Sequence, residues 1–125
     1  MNMLAPVNLD IARLLKQKGF SEPCDDYWEE GLRSSTPDEW KLNYYQEAAT
    51  DFIKAPTIIQ TVMWLYKTHN IWISVNKIQQ KDTFTWEMVQ SNEEKWYSID
   101  WSGGEINSPE VAYVEAILYI LTNVI

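Results

Sequence analysis

Between positions 71 and 101 the chain alternates apolar and polar residues three times over, and no other feature restricts its fold as strongly. Ile71, Ile73 and Val75 alternate with Trp72, Ser74 and Asn76. Phe84, Trp86 and Met88 alternate with Thr85 and Glu87, and Tyr97, Ile99 and Trp101 with Ser98 and Asp100. Successive side chains of a strand point to opposite faces, so period two means a strand with one covered face. The short polar connections Gln80-Lys81-Asp82 and Ser91-Asn92-Glu93-Glu94 then predict an antiparallel meander over 71–78, 83–90 and 95–101.

Helix signals flank this meander. Asn8 stands where a side chain can accept from a free backbone N–H, and Ile11, Leu14 and Leu15 follow as one apolar stripe over 8–18. Gly19 provides the left-handed stop, with Phe20 folding back. Thr57 and Gln60 have capping-box spacing before a helix over 58–69, and Asn70 is its expected stop. In that helix Ile58, Val62, Leu65 and Tyr66 are expected to share a face, with Ile59 and Met63 beside them. Ser108 as cap, Pro109 at the first helical position and Glu110 in the first turn announce a last helix to about 123. Val111, Val114, Ile117, Leu118, Leu121 and Ile125 are its expected sheet side. Tyr113, Ala116, Ile120 and Val124 make the remainder apolar too. A helix apolar all round packs on two sides or meets a second chain.

Residues 24–46 carry weaker signals. Tyr27-Trp28 and the stretch from Trp40 to Tyr45 have strand composition, with Gly31 and Ser34 to Asp38 as the turn between them. They predict an irregular hairpin, while 46–55 have no clean period. The expected architecture is a single α+β domain over 1–125. An antiparallel sheet, made of the meander and the hairpin, carries about three helices in the order α-β-β-α-β-β-β-α.

At 125 residues such a domain buries enough apolar surface to fold without disulfides or metals. One cysteine, Cys24, allows no intramolecular disulfide, and Met1 to Pro6 lack the charged and apolar regions of a signal peptide. No apolar stretch is long enough to span a bilayer. The expectation is a cytoplasmic protein. Eighteen acidic against ten basic side chains give a net charge of −8, which repels nucleic-acid backbones and anionic membranes.

Catalytic motifs are lacking. His69 is the only histidine, so Ser–His or Cys–His chemistry would have to run through it. Cys24 has no basic cluster to lower its pKa, and Asp25 and Asp26 would raise it. One Cys and one His cannot build a structural zinc site, and Asp25, Asp26, Glu29 and Glu30 lack calcium-loop spacing. Gly103-Gly104 belongs to no nucleotide-binding pattern. The order α-β-β-β-α over 57–123 is similar to that of a double-stranded-RNA-binding domain. That module needs lysines at the start of its last helix, where this chain has Ser108-Pro109-Glu110-Val111-Ala112.

Three phrases look familiar together: Gly19-Phe20-Ser21-Glu22-Pro23-Cys24, Lys54-Ala55-Pro56-Thr57, and Trp64 through Ile73. On them the chain resembles a group of small uncharacterised proteins of gut-bacterial genomes and their phages and mobile elements. The group has no established activity, so the resemblance implies an intracellular accessory protein and assigns no site residues.

What is unusual is the aromatic surplus of seven Trp, seven Tyr and three Phe. Trp and Tyr are favoured interface anchors. Together with the apolar last helix they point to a non-enzymatic protein-interaction module, acidic and homodimeric or bound to another protein, with no cofactor. The candidate contact residues are Trp28, Trp40, Trp72, Tyr113 and Ile120, although core burial is the plainer expectation for each. Two alternatives stand beside this reading. One is a small-ligand site or enzyme built from carboxylates and aromatics. The other is an acidic mimic of DNA that inhibits a nucleic-acid-binding protein.

Overall fold

The structure, a computed structural model, describes residues 3–29, 32–35, 52–92, 95–101 and 105–125. Its described elements are α1 (Leu9–Gln17), β1 (Asp26–Glu29), β2 (Leu32–Ser35), β3 (Phe52–Lys54), α2 (Ile58–His69), β4 (Ile71–Lys77), β5 (Phe84–Asn92), β6 (Lys95–Trp101) and α3 (Pro109–Asn123). The fold is α+β, with three helices and two antiparallel three-stranded sheets among these residues.

The helix starts follow from their caps. Asn8 Oδ1 accepts from the Ile11 N–H at 2.9 Å, and Thr57 Oγ1 accepts from Gln60 N–H at 3.1 Å. Each satisfies a donor that the first turn leaves free. The expected capping box at Thr57 is only half formed. The Gln60 amide donates instead to Pro23 O at 2.8 Å, which ties the start of α2 to the loop after α1. Ser108 caps α3 over a longer 3.5 Å contact, with Pro109 where a missing N–H costs nothing.

The meander forms as its alternation requires, in the order β4-β5-β6. Ile71, Ile73, Trp86 and Met88 are buried on one face, and Trp72 faces the other way. Trp72 pairs with Val89, and Ser74 with Glu87. β5 and β6 are paired further than expected, out to Asn92 and Lys95. Their register slips between Met88 and Val89, where Val89 meets Ser98 and Ile99 is left over as a bulge.

The smaller sheet, in the order β2-β1-β3, is separate from the meander. Its hairpin differs from the expected one. β1 pairs with Leu32–Ser35, which reads in sequence as part of the turn, and the expected partner from Trp40 to Tyr45 lies outside the described residues. Phe52–Lys54, without a period of its own, adds the third strand through backbone pairing to Tyr27, Trp28 and Glu29.

α3 packs on β4 and β5 and against α1 and α2, so it sits at the centre of the core. Its inward face matches the expected one at Ile117 and Leu121 and departs from it at Val111 and Leu118. Ala112, Ala116, Ile117, Ile120 and Leu121 are buried, whereas Val111 and Leu118 are 53% and 41% exposed. The two alanines lie on the packed side and the larger pair faces outward. α2 rotates similarly from the expected position. Ile58, Thr61, Val62, Trp64 and Leu65 are buried, and Tyr66 leaves the core face.

Candidate functional site

The outward side of α2 and the outward face of the meander meet at an open apolar groove. Met63 and Tyr66 come from α2, Trp72 from β4 and Val89 from β5, around a volume of about 380 Å³. Tyr66 and Met63 lie one helical turn apart and off the buried stripe, so both reach the same side. Asn70, with φ 57°, turns the chain so sharply that Trp72 comes back beside Tyr66. The two rings meet edge to face, with centroids 5.5 Å apart and planes at 78°. They stay 40% and 38% exposed. Val89 closes the far side from the strand opposite Trp72, next to the bulge. Bulges recur beside functional sites because they redirect a strand locally.

Of the four candidate contact residues among the described residues, Trp72 alone lines this groove. Ile120 is 0% exposed and packs within the core, which leaves it no surface to offer a partner. Tyr113 is half-buried against the same core. Trp28 is half-buried too, and its indole Nε1–H donates to Val7 O at 3.2 Å, which anchors the small sheet to the N-terminal segment. Trp40 lies outside the described residues. Met63, Tyr66 and Val89 complete the lining, and none of them is among the candidates. The available signal was the spacing of Ile59, Met63 and Tyr66 along the flank of α2's apolar stripe.

A second cavity, about 450 Å³ and more polar, lies between Leu4, Pro23, Asp25, Asp26, Ala55, Thr57 and Gln60. Thr57 and Gln60 are already committed to the helix cap and to Pro23. No group of three or more His, Cys, Asp or Glu placed to hold a metal occurs among the described residues. Beside this cavity Cys24 is half-buried, its Sγ–H directed to Glu22 O at 3.5 Å. Burial pushes the thiol up to about 12. The charges of Glu22, Asp25 and Asp26 add to the rise and the Lys54 ammonium opposes it. At neutral pH it is a protonated, poor nucleophile.

His69, at the end of α2, packs its ring against Trp64 with centroids 4.9 Å apart. Its Nε2 is buried without a hydrogen-bond partner among the described residues, and desolvation holds its pKa below the ordinary histidine value. The imidazole therefore stays neutral where a free histidine is partly charged.

No helix among the described residues is long and apolar enough to cross a membrane. Comparison of the chain with protein-family models, with curated proteins and with solved structures finds no match in any of the three.

Proposed function

We propose that this chain is a non-enzymatic binding module that docks a partner protein in the groove of Met63, Tyr66, Trp72 and Val89. The observation that carries the reading is the exposed Tyr66–Trp72 pair, two large rings in edge-to-face contact on an apolar groove. Exposed aromatic rings with few rotatable bonds give much contact area at little entropic cost. The net charge of −8 favours a basic partner and works against stacking two copies on this face. A phage or mobile-element origin and a cytoplasmic location rest on sequence alone: the familiar phrases for the first, the single cysteine for the second.

Selection from a displayed peptide library tests this. Peptides enriched on the wild-type chain should bind at least about tenfold more weakly to a Tyr66→Ala, Trp72→Ser variant, as loss of two anchors implies. They should bind unchanged to a Val111→Ser variant. Peptides that ignore the groove variant would refute the reading.

A second reading has its own observation. Val111 and Leu118 project from one side of α3, two turns apart, with exposed Glu115 between them. Such a strip suits a homodimer through α3. Light scattering over a dilution series tests it: a dimer mass abolished by Leu118→Glu supports the contact, and a monomer at all concentrations ends it.

A further inference from the structure

We infer that residues 3–5 form a lid, hinged at Pro6 and Val7, which closes over the polar cavity between Asp26 and Gln60 and opens without unfolding the domain. The hinge end is fixed. Val7 is 2% exposed, its N–H donates to Pro56 O at 2.9 Å, and its carbonyl accepts from the Trp28 indole N–H at 3.2 Å. On the other side of Pro6 the chain crosses the start of α2. There Ile58 N–H donates to Ala5 O and Ile59 N–H to Met3 O, each at 3.0 Å. Leu4, between these two carbonyls, lines the cavity and is 73% exposed.

The bonds to α2 are of a kind that water replaces at small cost. Their donors are first-turn N–H groups, which a helix leaves without an internal partner and which water ordinarily satisfies. The start of α2 also has its own support, because Thr57 Oγ1 accepts from Gln60 N–H and Thr57 O from Thr61 N–H. Apolar burial falls away along the segment. Val7 belongs to the core, Met3 and Ala5 are half-buried at its margin, and Leu4 is exposed. Release therefore uncovers little apolar surface and strands no donor in the interior. A segment held in this way opens locally, at a free energy well below that of global unfolding. Opening lifts Leu4 from the cavity and brings the Ile58 and Ile59 N–H groups to water.

Amide hydrogen exchange of the full chain, followed residue by residue by NMR, tests the opening. Ile58 and Ile59 should exchange together, at least about a hundredfold faster than Leu65, and at rates that low urea leaves unchanged. Leu65, fully buried, should accelerate with urea because its release needs global unfolding. One rate and one urea dependence for all three would overturn the lid, since the segment would then leave only with the core. Exchange of Ile58 and Ile59 at the rate of an unstructured peptide would overturn it too, since nothing would be closed. A variant lacking residues 1–5 tests the cover. Carbodiimide coupling of an amine to the half-buried Asp26 should be about threefold faster or more in that variant, read by peptide mass. Coupling to Asp82, whose side chain is fully exposed, should not change. An unchanged rate at Asp26, or loss of Leu65 protection in the variant, would overturn the proposal.

Discussion

Tyr66 and Trp72 stand edge to face because one left-handed residue between them, Asn70, turns the chain from α2 directly into β4. Asn70 has φ 57° and ψ 34°, and its N–H donates back to the last turn of the helix. Asparagine tolerates this conformation, and a β-branched residue does not. Asn70→Val should therefore lower the stability by about 1–2 kcal/mol, whereas Asn70→Gly should stay within about 0.5 kcal/mol of the wild type. Urea unfolding measures both. Equal losses would mean that the left-handed turn is not what the position demands.

The orientation of α3 makes a second prediction. Ala116 is fully buried and Leu118 is 41% exposed, so adding bulk at the first should hurt more than removing it at the second. Ala116→Leu should cost about 1–3 kcal/mol through overpacking, and Leu118→Ala less than about 1 kcal/mol. Ile117→Ala, in the core beside Ala116, should cost about 2–5 kcal/mol. The reverse order for Ala116 and Leu118 would mean that the helix is rotated.

These substitutions also mark how much the sequence could tell. The strands over 71–101 were legible because Ile71, Ile73, Trp86 and Met88 must share a covered face and their neighbours must not. The helix starts were legible because Asn8, Thr57 and Ser108 carry the acceptors that a first turn needs. The face of α3 was not, because a helix apolar all round has no periodic signal to read. The burial of Ala112 and Ala116 shows which side packs. The partner of β1 was not legible either, since Leu-Arg-Ser-Ser at 32–35 has turn-like composition and pairs through its backbone. Of the groove, Trp72 was visible as the large ring on the wrong side of an alternating strand. Met63, Tyr66 and Val89 join it only through the turn at Asn70 and the pairing of β4 with β5, which are tertiary facts.

Cys24 should react slowly. With its thiol pushed up to about 12 by burial, little thiolate exists at pH 7.5. Iodoacetamide should modify the native chain at least about tenfold more slowly than the urea-unfolded chain, where the ordinary pKa near 8.5 returns. Similar rates in both states would place the thiol in water.

His69 gives the fold a pH dependence of defined sign. Its folded pKa lies below its unfolded value, so below about pH 6.5 the unfolded chain binds the proton more readily than the folded one. Its contribution is complete above that pH and is lost as the pH falls towards the folded pKa. The urea midpoint of the wild type should therefore drop more between pH 7.5 and 5.5 than that of His69→Asn. Parallel profiles would show that the imidazole is as well solvated folded as unfolded.

Trp72, on this reading, serves binding and contributes little to folding. Its most direct test measures two quantities on one Trp72→Ser preparation: the urea unfolding free energy and the dissociation constant for a peptide selected on the wild-type chain. For a ring left 38% exposed outside the core, a stability loss below about 1.5 kcal/mol with at least tenfold weaker binding is predicted. A loss of about 3 kcal/mol or more with unchanged binding would make Trp72 a structural residue with no part in docking.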